Sequence, residues 1–283
     1  MRRGLERCLT VVATLAAGVA VALLLGVVGA ILAKGLPALS WDFLARESAD
    51  AGAAGGVLYQ IVGTLILMTT ALAASVPLAL AVALTQTVYL PTPRSRRLLR
   101  LGLYLWNGLP SIVMGIFGWI VFGRLLGLGK SWLGGGLILG LMILPTLTVA
   151  VAECMRAIPR RYLEAARGLG LTRSQTVRSV ILPQSRSGLF SGALLGLARA
   201  AGETAPILFC AAVFSGVTLP SGVAESPILA LPYHIFVLAQ DSLDPGAGVR
   251  LWGAAFVLLA LVFGLSLASL PARLGSPAEG RHG

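Results

Sequence analysis

The chain has 283 residues, of which 57% are hydrophobic and 12% charged, and its mean hydropathy is +0.87. A soluble domain carries about a quarter charged residues, so the composition excludes one and describes an all-α, polytopic membrane protein. The formal charge of +11 does not imply nucleic acid as a partner, because the basic residues lie in short segments between apolar runs, where they set orientation. Cys8, Cys154 and Cys210 have neither metal-ligand spacing nor the look of a disulfide frame.

In chain order, Arg2, Arg3 and Arg7 precede a first apolar run, Cys8–Ala33. That layout imitates a secretory leader, but the run is about twice the usual leader core, and it is expected to stay as the first span. Further runs cover Val57–Leu84, Leu101–Phe122, Trp132–Ala152, Gly188–Phe214 and Leu251–Leu270. Each is long enough to cross a bilayer as a helix, which predicts six transmembrane helices. Pro77 and Pro145 fall inside spans, where neighbouring helices or a cavity must satisfy the freed carbonyls.

Two connections on one side have content. Residues 34–56 contain Trp41 and Phe43, then the glycine-rich lead AGAAGG. Residues 215–250 contain PILALPYHIFVLAQ, whose apolar stretch is too short to span and fits an interfacial or re-entrant helix. His234 within it reads as a packing residue beside Tyr233, with a proton site or a ligand as the alternative. The whole chain, 1–283, reads as one transmembrane domain with a large polar loop at 153–187 and a tail at 275–283 expected to be disordered. Sixteen of the 22 Lys and Arg residues fall on the side of that loop and both termini, five on the other side, and Arg199 within a span. The bias predicts cytoplasmic termini.

Arg199 and Glu203 are the only charged residues in Gly188–Phe214. Arg199 lies 11 residues beyond Gly188, about 16 Å along a helix and so near mid-membrane. A guanidinium there must face a partner, a cavity or a substrate. On one continuous helix Glu203, four residues on, projects from the same face. The pair is either a static intramembrane ion pair or part of a substrate path in which the arginine fork meets an oxyanion. Neither residue is expected to be a catalyst, and no cluster of His, Cys, Asp or Glu suggests a membrane enzyme.

The 153–187 loop reads IPRRYLEAARGLGLTRSQTVRSVILPQSRSG from Ile158. A short helix is predicted after Pro159, ended by Gly168 and Gly170. A second is predicted from about Ser174 to Ile181, stopping before Pro183. Glu164-Ala165-Ala166, then Gly170, then Val180-x-Leu182-Pro183 resembles the EAA loop of ABC importer permeases, with valine for isoleucine as the one mismatch. The resemblance implies a type I-like permease whose first loop helix docks on a separate ATP-binding subunit. The chain itself has no GxxxxGK[ST] phosphate loop.

LARAAGETAPI at Leu197–Ile207, LPSIVMGIFG at Leu109–Gly118, GGVLYQIVGTL at Gly55–Leu65 and ALPYHIF at Ala230–Phe236 are similar to the phosphate-uptake branch, and to its A-type (PstA-type) inner-membrane subunit in particular. That implies a phosphate path through Arg199 and Glu203, no cofactor, an ATPase dimer, a C-type permease and a periplasmic phosphate-binding protein as partners, and a place in a bacterial inner membrane. Where such subunits carry an Arg-Ser/Thr-Thr-Glu run late in span four, this chain has Val149-Ala150-Val151-Ala152, with Glu153 retained. Another tetrahedral oxyanion (sulfate, molybdate, tungstate) is the alternative substrate. An ion-coupled symporter or channel would explain Arg199 and Glu203 but not the EAA loop.

Overall fold

Apolar runs that satisfy their own backbone bonds become helices, as a bilayer demands. The structure, a computed structural model, describes residues 2–49, 54–90, 92–240 and 245–268. Helix α1 (Arg2–Gly35) is followed by a 3₁₀ turn and a short α2 (Trp41–Ala45). A two-residue hairpin, β1 (Ser48–Ala49) and β2 (Ala54–Gly55), pairs antiparallel with Ser48 opposite Gly55. Then come α3 (Leu58–Leu84), α4 (Pro93–Asn107), α5 (Ser111–Gly118) and α6 (Trp132–Ala157). The loop after α6 holds α7 (Arg160–Gly168), α8 (Arg173–Thr176) and α9 (Leu182–Gln184). Last are α10 (Arg186–Ala201), α11 (Ala205–Cys210), α12 (Leu231–Gln240) and α13 (Pro245–Ala268). The predicted tail at 275–283 lies outside the described residues.

Among the described residues, four stretches are long and apolar enough to cross a membrane: Leu9–Ala38, Leu58–Tyr89, Trp132–Ala157 and Gly246–Leu267. Two of the six predicted spans are broken instead. The third is α4 followed by α5 and a π-helical turn, Trp119–Leu125, with a bend of 93° between Asn107 and Ser111. Pro110 causes the break. It has no N–H for the carbonyl one turn back, and its ring excludes the residue before it from helical geometry. The chain turns through Gly108 instead, whose amide bonds the Tyr104 and Leu105 carbonyls.

The fifth predicted span is not one helix either. α10 ends at Ala201, with Gly202 as its C-cap, and α11 begins only at Ala205. Pro206 cannot donate to the Gly202 carbonyl, and Gly202 adds backbone freedom. After α11 the chain leaves helical geometry, with Ala212 bridged to Ile228.

The core is built around α6, which packs on α3 and α10 and also meets α5 and α11. α10 approaches α6 through Gly188, Gly192 and Gly196. A β-carbon at Gly188 would stand 2.2 Å from Cys154 Sγ, and one at Gly192 2.9 Å from Leu147 Cδ1. Small residues at this spacing let two helices approach closely where no hydrophobic effect drives them together. α13 joins α1, α10 and α12. α1 stays exposed along its apolar length. One end of the bundle carries α2, the hairpin and α12; the other carries α7 to α9.

The candidate substrate path and coupling loop

Pro145 sits inside α6 and leaves the Leu141 carbonyl without its helical donor. The indole N–H of Trp106, on the last turn of α4, donates to that carbonyl at 3.1 Å. This bond pins the end of α4 against the middle of α6. Asn107 and Thr146, the residues after Trp106 and Pro145, then face a third element, α10.

Arg199 on the last full turn of α10 fills that junction. Its Nη1 donates to Asn107 Oδ1 and, at 3.4 Å, to Thr146 Oγ1. Its Nε lies 3.7 Å from Glu203 Oε1. The predicted pair therefore forms, but not on one continuous helix: Glu203 lies in the break, its amide bonded to the Ala200 carbonyl. The Arg199 side chain remains 32% exposed and Glu203 18%. A guanidinium fork with one open side can give two parallel hydrogen bonds to a tetrahedral oxyanion. Asn107 and Thr146 orient the fork and leave Glu203 as its one charged partner. Val149 stands one turn from Thr146 on α6, half-buried.

The loop from 158 to 187 is bolted to the far end of the same core. α7 starts at Pro159 as N-cap and ends where Gly170 takes φ +71°, a left-handed geometry that a residue with a β-carbon resists. Its turn is closed by Gly170 N–H to Arg167 O and Leu171 N–H to Ala166 O. Ala166 faces inward. Val177 and Ile181 pack with Leu147, Val151 and Met155 of α6 and with Tyr162 and Leu163 of α7. Glu164, Ala165 and Leu169 face outward, Leu169 at 80% exposure. A reciprocal capping box between Thr172 and Gln175 starts α8.

The second loop helix does not stop before Pro183, as predicted. It widens into a π turn, Val177–Ile181, and continues as α9 with Pro183 in its first turn, where a missing N–H costs little. Val180 and Leu182 are half-buried and Pro183 exposed.

The predicted short helix in residues 215–250 is α12. It lies on α3 and α13, with the Leu231 amide bonded to Thr64 Oγ1 at 2.9 Å. His234 is buried and stacks on Phe214 at 5.6 Å between centroids. Burial, together with the Arg250 charge, pushes its imidazole down to about 4, so it is neutral near pH 7 and acts as a packing side chain.

The family described as binding-protein-dependent transport system inner membrane component matches residues 75–274. A probable ABC transporter permease protein, YqgI, of Bacillus subtilis is 27% identical over 266 residues, covering 90% of each chain. A probable phosphate transport system permease protein PstA of Methanocaldococcus jannaschii is 35% identical, covering 72% of this chain and 71% of its own. PstA 1 of Mycobacterium tuberculosis H37Rv, a phosphate transport system permease protein, is 32% identical over 76% of this chain and 69% of its own. Among solved structures, the MetNI methionine ABC transporter in its inward-facing form matches with a TM-score of 0.59 at 19% identity, covering 77% of this chain and 94% of that one. The chain belongs to the family of binding-protein-dependent transport system inner membrane components.

Proposed function

We propose that this chain is a membrane-spanning permease subunit of an ATP-driven importer of inorganic phosphate, with Arg199 and Glu203 in the substrate path. The observation that carries the reading is Arg199: a half-buried guanidinium held between two helix breaks by Asn107, Thr146 and Glu203. The names of the PstA relatives support phosphate over other oxyanions. ATP hydrolysis belongs to a partner that docks on the outward face of α7, where Glu164 and Ala165 are exposed; Ala166 and Gly170 shape that helix and its turn, and Val180, Leu182 and Pro183 belong to the segment that follows. An A-type subunit of this kind pairs with a C-type permease, two ATPases and a periplasmic phosphate-binding protein. The domain is single, with a coupling loop at 153–187.

The bias of basic residues toward the α7–α9 end supports a cytoplasmic position for that end and for both termini, and the permease relatives support a bacterial inner membrane. Cysteine at Ser174 should resist an impermeant reagent added outside intact cells, and cysteine at Ser221 should react; the reverse pattern would sink this orientation. For function, the full complex is reconstituted and its ATPase activity compared with binding protein loaded with phosphate, sulfate, molybdate or tungstate. Phosphate should stimulate most. Stimulation by another oxyanion alone would reassign the substrate, and uptake that persists without ATP would remove the ATP-driven reading.

A further inference from the structure

An arginine side chain holds its N–H donors in one rigid plane. In Arg199 both hydrogens of Nη1 are engaged, one by Asn107 Oδ1 and one by Thr146 Oγ1. Those bonds block the end of the fork. The edge left for a ligand is the side formed by the Nε and Nη2 hydrogens, which point the same way. Among the described residues, nothing accepts a hydrogen bond from that edge. Glu203 Oε1 lies 3.7 Å from Nε, too far for a hydrogen bond, although the opposite charges still attract across that gap.

Glu203 has the complementary shortage. Its side chain is only 18% exposed, and among the described residues no donor reaches its carboxylate. A carboxylate so far withdrawn from water needs hydrogen-bond donors. A tetrahedral oxyanion on the free edge takes Nε–H and Nη2–H with two of its oxygens. Its remaining oxygens face their surroundings, where Glu203 is the nearest charged group. An oxygen that bears a proton donates to the carboxylate and ends the shortage. An oxygen without one sets two acceptors face to face, and like charges repel at short range. Near neutral pH phosphate and arsenate keep a proton in both of their prevalent ionic forms, whereas sulfate, molybdate and tungstate carry none.

We infer that Glu203 is a specificity-determining residue of the membrane path: it accepts a hydrogen bond from the O–H of a proton-bearing oxyanion held side-on by Arg199, and it rejects oxyanions that are fully ionised. This selection presupposes that Arg199 lies in the substrate path. It is a property of the permease itself, separate from any selection made by the protein that delivers the anion. A site built to bond a substrate hydroxyl discriminates strongly against an analogue that lacks it, because its own polar group is then left unpaired.

The melting temperature of the assembled transporter, both permeases with their ATPases, is measured in detergent without binding protein, so that only the membrane path selects. Phosphate, arsenate, sulfate and molybdate are added as sodium salts at equal ionic strength. An anion that binds the folded complex raises its melting temperature according to how far its concentration exceeds its Kd. The part of that rise which disappears in Arg199→Gln belongs to this site. Phosphate and arsenate should produce it, and sulfate and molybdate should need about tenfold higher concentrations or more. In Glu203→Gln the side-chain amide can accept from an O–H and donate to a bare oxygen, so the four anions should act alike. Equal responses to sulfate and phosphate in the wild type, both lost in Arg199→Gln, would overturn the role of Glu203 and leave Arg199 in the path. Retained preference for phosphate and arsenate in Glu203→Gln would assign the selection to another group. If that variant does not assemble, the ranking of the anions in the wild type decides. A phosphate response unchanged in Arg199→Gln, or no response to any anion, would instead defeat the Arg199 reading, so the two failures are distinct.

Discussion

Trp106 donates its indole N–H to the one α6 carbonyl, Leu141, that Pro145 deprives of a helical partner. The proline and the tryptophan are thus two halves of one device. It fixes the end of α4 against α6 and sets Asn107 and Thr146 where Arg199 can reach both. In a bilayer core, which has no water to replace the donor, a carbonyl left without one costs several kcal/mol.

Trp106→Phe should therefore lower the melting temperature of the detergent-solubilised complex and weaken uptake. Pro145→Ala supplies the missing amide to Leu141, so the double variant should recover much of the thermal stability that Trp106→Phe loses. Strictly additive losses in this cycle would show that the two residues are not coupled.

The Arg199–Glu203 pair is legible from spacing alone, because opposite charges four residues apart in an otherwise apolar run are each other's nearest means of offsetting the cost of burial. The break between them is legible in principle as well, since Gly202 and Pro206 stand on either side of it. What the chain does not announce is the company Arg199 keeps. Asn107 is 92 positions away and Thr146 53, and neither has a spacing pattern that points to α10. They become neighbours only through Pro110, which ends α4, and through the Trp106–Leu141 bond. The helix and turn of the 158–187 loop are legible for the opposite reason: helix, turn and anchor are all local, and Gly170 marks the one left-handed turn among them.

That turn makes a sharp prediction. A β-carbon at φ +71° is strained whatever the space around it. Gly170→Trp should leave the permease in the membrane, since the core contacts of Val177 and Ile181 lie beyond the turn, but it should rotate the exposed face of α7. The expected result is normal membrane abundance with uptake near background and loss of co-purifying ATPase. Normal uptake would remove the coupling role from this turn.

His234 supplies a pH dependence whose sign can be fixed. Its folded value is pushed down to about 4, against 6.5 ordinarily, by burial and then by Arg250. Between these values the unfolded state binds the extra proton and the folded state does not. Stability is therefore complete above about pH 6.5 and is lost as pH falls toward about 4, by up to roughly 3 kcal/mol. The melting temperature should drop between about pH 7 and about pH 5 in the wild type, and drop less in His234→Phe, which keeps the ring against Phe214. Equal slopes in the two proteins would clear His234 of this role.

The decisive experiment on the path is the charge cycle at Arg199 and Glu203. Arg199→Gln should abolish oxyanion uptake while leaving assembly and ATPase binding intact. Lysine should rescue only in part, because a point charge cannot reproduce the two-pronged contact with an oxyanion or hold Asn107 and Thr146 together. Glu203→Gln should be milder, since it leaves the fork in place with its two neutral partners. If the pair were only a static ion pair, either single change would strand a charge in the membrane, and removing both would restore transport. For a substrate-binding fork the double variant Arg199→Gln, Glu203→Gln stays inactive, because the group that meets the anion is still missing. Recovery of uptake in the double variant would end the path assignment, and the hydrogen bonds from Arg199 to Asn107 and Thr146 would then be read as helix glue between α4, α6 and α10.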